Sequence, residues 1–314
     1  MPTTLDAAAE ARRNIAGIAI RTPLVRLNTD GAGDHEIYLK LENLQPIGSF
    51  KIRGAANAIA KTPADRLAKG LLTASAGNMA QGVAFCARRL NISATAIAPE
   101  SAPETKLRAI ERLGGNVIKV PFDQWWRAFE DRSFPGVDAT FIHAFDDPNV
   151  MAGNGTIGFE LIEDLPDVDA AVVPWGGGGL ACGIAAVMKA LRPSVRVYAA
   201  EAATAAPLAA SLKAGTPQMV DYQPSFVDGI GSKTVFPRML AEAQRLLDGS
   251  IVMPLEDISF ALKLMAERTR VIAEGAAACA VAAALSGKAG CGKIVAIVSG
   301  GNIDLKKFCE IVTL

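Results

Sequence analysis

The sequence predicts an α/β fold in which mostly parallel sheets are flanked by helices. Short apolar runs recur along the chain and are continuous rather than alternating, as strands buried on both faces read. Amphipathic helical patterns separate them, the order expected of βαβ units. Glycine-rich turns punctuate three of these strand-to-helix junctions.

In chain order the strand candidates are residues 37–41, 71–75, 95–98, 117–120, 141–143, 171–174, 195–199 and 294–298. The helical patterns fall at 78–90, 104–113, 158–165 and 180–191. No repeat of fixed period interrupts the alternation. Residues 215–237, rich in Gly, Pro, Ser and Asp, are the least regular segment and read equally as a functional loop or a plain connection.

At 314 residues the chain suits two domains or one large α/β unit. Half of it is apolar, so a sizeable core is expected and disorder is not. Acidic and basic residues balance at 32 each, which argues against nucleic acid or an anionic membrane as partner. Met1-Pro2-Thr3-Thr4-Leu5-Asp6 shows no basic region followed by an apolar one, so no secretory signal is expected, and the longest apolar stretch, 275–285, is too short to span a bilayer. Cys86, Cys182, Cys279, Cys291 and Cys309 are scattered without Cys-x-x-Cys spacing. They read as buried packing in a reducing cytoplasm rather than as disulfides or a zinc site.

The three glycine turns are Ala74-Ser75-Ala76-Gly77-Asn78, Pro174-Trp175-Gly176-Gly177-Gly178-Gly179-Leu180 and Val298-Ser299-Gly300-Gly301-Asn302. Ligands bind outside the carboxyl ends of parallel strands, so these turns are placed to share one site. Glycines let backbone amides close on a phosphate, and the following helix adds its positive dipole end. Close strand–helix packing explains two glycines well and four in succession poorly. Gly177-x-Gly179 with Gly183 nearly matches a dinucleotide fingerprint, and Glu201 lies about twenty residues on, so a nicotinamide site is an alternative.

Lys51 follows Ser49, a candidate helix N-cap, among Phe50, Ile52, Gly54, Ala55 and Ala56. An arbitrary lysine is most often a solvated face residue. At a helix start, however, the dipole disfavours the ammonium and lowers its pKa, as an amine that attacks carbonyls requires.

The stretch Leu39-Lys40-Leu41-Glu42-Asn43-Leu44-Gln45-Pro46-Ile47-Gly48-Ser49-Phe50-Lys51-Ile52-Arg53-Gly54-Ala55 closely resembles the signature of the serine/threonine dehydratase branch of fold-type II pyridoxal-phosphate enzymes, a group that includes serine racemase. The likeness continues through Ala74 to Gly82, Gly176 to Gly179, Glu274-Gly275-Ala276 and Ser299 to Asn302, nearly the whole chain. It implies pyridoxal 5'-phosphate as cofactor, held as a Schiff base by Lys51. Gly176, Gly177, Gly178 and Gly179 would hold its phosphate, Asn78 its phenolic oxygen and Ser299 its pyridine nitrogen, with Phe50 beside the ring. Ser75, Ala76, Gly77 and Asn78 would form the loop that binds the substrate carboxylate. It further implies a two-domain enzyme, each domain a mostly parallel sheet flanked by helices. Residues 1–42 and 146–314 would bind the cofactor and 43–145 would form a small mobile domain. A homodimer in the cytoplasm, acting on small-molecule amino acids, is the expected setting.

The implied reaction is α,β-elimination of a β-hydroxy amino acid (serine, threonine, 3-hydroxyaspartate or phenylserine) to a 2-oxo acid and ammonia, with Lys51 removing the α-proton. A serine at the pyridine nitrogen makes a weaker electron sink than an aspartate, which suits elimination better than transamination. Three positions depart from the family pattern. Ala76 replaces the second serine that racemases use as opposite-face acid/base, so dehydration is expected and racemisation is the alternative. Met79 replaces the usual histidine and is expected to alter the pocket or the substrate. Glu201 and Ala205 match two ligands of a divalent cation, but Pro207 stands where the second acid would be. A lone carboxylate is a poor cage for a hard cation, so no metal is expected. By its length, no regulatory C-terminal domain is expected. A binding protein that keeps the fold without catalysis is a third reading.

Among the remaining residues, His35 and His143 are the only histidines and far apart, His143 reading as packing at a strand end. Trp125-Trp126 read as core or interface, and Asp146-Asp147 before Pro148 as a turn.

Overall fold

A computed structural model describes residues 3–29 and 35–313. Parts of the expected large domain (residues 1–2, 30–34 and 314) lie outside them. Helix α1 (Leu5–Asn14) starts where the Thr4 hydroxyl accepts from the Ala7 amide, and β1 (Leu24–Arg26) and β2 (His35–Lys40) follow. Helices α2 (Lys51–Ala60) and α3 (Ala64–Leu67) lead into an alternating run. That run is β3 (Leu71–Ala74), α4 (Asn78–Leu90), β4 (Ala94–Pro99), α5 (Glu104–Arg112), β5 (Asn116–Val120), α6 (Phe122–Asp131) and β6 (Thr140–Phe141). A second run holds α7 (Pro148–Asp164), β7 (Ala170–Pro174), α8 (Gly179–Leu191), β8 (Arg196–Ala202), α9 (Pro207–Ala214), α10 (Pro237–Leu246) and β9 (Gly249–Met253). Then come α11 (Leu255–Thr269), α12 (Gly275–Leu285), β10 (Gly292–Ile297) and α13 (Leu305–Val312).

Among the described residues the strands form two sheets. The order β5-β4-β3-β6 is parallel throughout, and β1-β2-β10-β7-β8-β9 is parallel except for the edge strand β1. Strand β7 shows why the apolar runs are continuous. All five of its residues are buried. Ala170 and Val172 pack with Val281 and Leu262 on one face, while Ala171 and Val173 pack with Ile184 and Met188 on the other. The apolar stretch 275–285 is the central helix α12, buried from Gly275 to Ala284. Among the described residues no helix is long and apolar enough to cross a membrane.

Strands β1 and β9 have no counterpart among the sequence candidates, and α7 begins at Pro148 rather than at residue 158. The early turns of α7 hide behind glycines that weaken a helical reading. They sit where helices cross closely: a Cβ at Gly155 would lie 2.8 Å from the Gly183 carbonyl, and one at Gly153 would strike the Arg53 carbonyl. Asp147 and Pro148, read as a turn, start this helix, with Asp147 Oδ1 accepting from the Asn149 and Val150 amides. Cys86, Cys182 and Cys279 are buried, but Cys291 and Cys309 are exposed, correcting the expectation that all five pack inside.

Helix α2 is fixed from below by a buried ion network. Arg53, 1 % exposed, donates to both oxygens of Glu42 (2.8 Å each) and both of Glu160 (2.6 and 3.0 Å). Lys40 adds a 2.6 Å pair to Glu160. Burial alone would raise the Glu42 pKa, but the Arg53 charge and hydrogen bonds, Thr22 and Lys40 outweigh it and hold the carboxyl below its ordinary value. That stabilisation is therefore present above the unfolded carboxylate pKa and is lost as pH falls through the folded one. Arg53→Ala would strand the buried Glu42 carboxylate and leave Glu160 with Lys40 alone, and we expect a loss of about 3–5 kcal/mol in urea unfolding at pH 7. A loss below about 1 kcal/mol would show that the network is solvated.

Candidate active site

Strands β3, β7 and β10 end at Ala74, Pro174 and Ile297, directly before the three glycine turns. Ser49 bridges Gly300 in antiparallel fashion, which brings the start of α2 to the carboxyl end of β10. The Phe50 amide (3.0 Å) and the Ser49 hydroxyl (3.2 Å) both donate to the Ser299 carbonyl. Ser49 is not itself the N-cap. Phe50 holds that position, although the Ser49 hydroxyl does accept from the Lys51 amide at 3.4 Å.

Lys51 is the first residue of α2. Its Nζ donates to the Ala144 carbonyl at 2.7 Å and stands 5.2 Å from the Phe50 ring centroid. Burial lowers its pKa to about 8, with Glu274 opposing the shift. Such an amine is partly unprotonated near neutral pH, which nucleophilic and base chemistry require.

The tetraglycine turn opens α8, whose N-terminus has no side-chain cap. Gly178 adopts a left-handed φ of 90°. A Cβ at Gly177 would fall inside the Phe145 ring, one at Gly178 would strike Trp175, and one at Gly179 would lie 2.7 Å from the Phe145 carbonyl. Tight packing thus accounts for three of the four glycines. Gly176 is different, its Cβ position being 3.4 Å from the Gly229 carbonyl. Gly229 belongs to the irregular segment 215–237, which in part closes over this turn. An uncapped helix start with bare backbone and a low-pKa amine nearby fit a phosphate-bearing carbonyl cofactor.

In the turn after β3, Ser75 Oγ accepts from the Gly77 amide at 3.2 Å. Ser75, Ala76, Gly77 and Asn78 are half-buried, and nothing lies within 4 Å of a Cβ built on Gly77. Asn78 Nδ2 donates to both oxygens of Glu274 (3.0 and 3.2 Å), and its Oδ1 accepts from Asn302 Nδ2 at 2.7 Å. Met79, expected to alter the pocket, is instead 1 % exposed and packs with Ala55, Ile59 and Val83 between α2 and α4. Ser299 is buried beside the turn that carries Asn302.

Several groups at the site escape sequence reasoning. Glu274 lies in a segment that carries the family likeness, but nothing in the sequence gives it a role or a partner. The Ala144 carbonyl and Phe145 carry none. His143 accepts from the Phe145 and Asp146 amides through Nδ1, so burial and the charges of Arg132, Lys51 and Arg238 hold it neutral, its pKa lowered to about 3. Asp146 bridges Arg132 (3.0 Å) and Arg238 (2.8 Å). Trp125 and Trp126 are half-buried in the aromatic cluster with Phe129 and Phe236.

Glu201 is engaged elsewhere. Its oxygens accept from the Leu208 and Ala209 amides (2.8 Å each) at the start of α9 and from Ser250 Oγ (2.6 Å). With both oxygens accepting from amide and hydroxyl donors, the carboxylate is committed to holding the start of α9 against β9. Among the described residues no group of three His, Cys, Asp or Glu is arranged to hold a metal.

The family described as "Pyridoxal-phosphate dependent enzyme" matches residues 15–300. An L-threonine ammonia-lyase of Thermotoga maritima is 40 % identical over 313 residues, covering 98 % of this chain and 78 % of its own. The structure of the processed form of threonine deaminase isoform 2 from Solanum lycopersicum superposes with a TM-score of 0.89 at 34 % identity, over 100 % of this chain and 91 % of that one. Maize serine racemase gives a TM-score of 0.89 at 32 % identity, over 99 % and 97 %.

Proposed function

Because the chain belongs to the pyridoxal-phosphate-dependent enzyme family, we propose that it is an ammonia-lyase that dehydrates threonine, and serine less well, to a 2-oxo acid and ammonia. The observation that carries this reading is the half-buried Lys51 amine at the shared end of β10 and the three glycine turns, with its pKa brought down to about 8. The threonine ammonia-lyase relative supports the substrate. Met79 in the core removes the one sequence objection to threonine.

When bound, pyridoxal phosphate supplies the electron sink that makes the substrate Cα–H acidic and lets the β-hydroxyl leave. Lys51 would hold it, the turn Gly176 to Gly179 and the α8 N-terminus would take its phosphate, and Asn78, Phe50 and Ser299 would meet its ring. The Ser75–Asn78 loop would orient the substrate carboxylate, with Gly77 leaving the open space. Lys51 Nζ then accepts the α-proton. Ala76 offers no hydroxyl on the opposite face, so a proton is not returned there, which favours elimination over racemisation. Residues 43–145 would move as the small unit over the cofactor unit formed by 1–42 and 146–314. A cytoplasmic homodimer completes the reading.

A screen of β-hydroxy amino acids for 2-oxo acid release tests it. Threonine is expected to give the highest kcat/KM, and EDTA or added Mg²⁺ to leave the rate within about twofold, since the Glu201 oxygens are already engaged. Racemised substrate without 2-oxo acid would favour the serine racemase likeness instead.

A further inference from the structure

We propose that Glu274 is a positioning residue of the reaction centre, the counter-charge of Lys51 and the anchor that fixes the Asn78 amide. A short polar side chain at a helix N-cap, such as Asp, ordinarily turns onto the first amides of that helix. Glu274 occupies the N-cap position of α12 but makes no such bond. Its carboxylate turns the other way and accepts Asn78 Nδ2 on both oxygens. Its own amide donates to the Gly300 carbonyl at 3.0 Å, which locks it beside the Ser299–Asn302 turn. Room for it is made by glycine: a Cβ on Gly300 would lie 2.6 Å from Glu274 Oε1, and one on Gly229 3.6 Å.

The hydrogen-bond chain extends further. Asn302 Nδ2 donates both to Asn78 Oδ1 and to the Ile47 carbonyl (2.8 Å), so the Asn78 amide has a single orientation, nitrogen to Glu274 and oxygen to Asn302. Glu274 thereby ties the start of α4, which follows the smaller sheet's β3, to the larger sheet's turns. The charged groups facing it are Lys51 from α2, Lys106 from α5 and Asp228 from the loop before α10, the last two paired at 2.8 Å. Burial raises the Glu274 pKa to about 7, with Asn78 opposing, so its proton and that of Lys51 are exchanged over neighbouring pH ranges. An ionised Glu274 keeps Lys51 protonated; removing that charge frees the amine at lower pH.

Glu274→Gln keeps an acceptor for Asn78 and removes the charge. In cofactor-free full-length protein, cyanate labelling of Lys51 at pH 7, read by peptide mass spectrometry, is expected to rise by about 1.5- to 2-fold, as a half-unit fall in pKa produces when Glu274 is about half ionised in wild type. In the holoenzyme the acidic limb of the kcat profile should move to lower pH, with KM changed less than kcat. Glu274→Asp, which keeps the charge, should return the labelling curve toward wild type and serves if the Gln variant does not fold. Labelling and pH profile both unmoved in Glu274→Gln, or labelling raised equally by Asp and Gln, would overturn the proposal. It rests on Lys51 being the cofactor lysine. Borohydride reduction of wild-type holoenzyme checks that separately, because a label away from Lys51 would sink that assignment whatever the cyanate curve shows.

Discussion

Lys51→Ala is expected to abolish the visible absorbance of the holoprotein and to lower turnover of threonine by at least about a thousandfold. The substitution removes the amine that donates to the Ala144 carbonyl and stands 5.2 Å from the Phe50 ring centroid. The fold should survive, because a buried ammonium is costly and a methyl group is not. The folded-state pKa of Lys51 lies near 8, below its ordinary 10.5. Between those values the unfolded chain binds more protons, so wild-type stability rises with pH across that window and is lowest below it. The variant should lack this rise. Urea unfolding of the cofactor-free forms at pH 7.5 and pH 10 reads the difference, and a shared pH dependence would show that Lys51 is solvated. Retained activity in the variant would sink its assignment as the cofactor lysine.

The second large effect is expected at Gly177. An alanine there would drive its methyl into the Phe145 ring, which is held by Phe129, His143 and Phe236 at centroid distances of 5.4, 4.8 and 5.3 Å. The ring cannot swing away, so the turn must shift at a cost of about 1–3 kcal/mol. If that turn holds the phosphate, pyridoxal-phosphate affinity falls by roughly 5- to 150-fold. Titration of cofactor-free protein by absorbance measures it. Combining Gly177→Ala with Phe145→Leu should recover part of the loss. An unchanged Kd in the single variant would place the phosphate elsewhere.

How much of this was legible beforehand depends on how local each signal is. The buried strands announce themselves because both faces of β7 meet apolar cores, and Lys51 and the glycine turns because the motif around each is continuous in sequence. Strand β1 has three residues and an edge position, too few to form a pattern. Strand β9 starts at Gly249, an unusual opening for a strand. The first turns of α7 were hidden by glycines that serve packing against α2 and α8 rather than flexibility. Met79 misled in the opposite direction, since only the packing of α4 decides whether it faces pocket or core. The partners of the catalytic groups were least legible. Glu274 lies 196 positions from Asn78, and Ala144 lies 93 from Lys51. No spacing rule connects residues so far apart.

The pairing of β10 with β2, and of Ser299 with Ser49 across 250 positions, also bears on biosynthesis. A chain growing from the ribosome can complete the smaller sheet, β3 to β6, while its later half is still unsynthesised. The bed of Lys51 cannot form until β10 has emerged, because contacts of such high sequence separation close last. Until then the residue is a hydrated, ordinary amine, almost wholly protonated near neutral pH and therefore a poor nucleophile. Reactivity is thus withheld from the nascent polypeptide and conferred in a late step of folding.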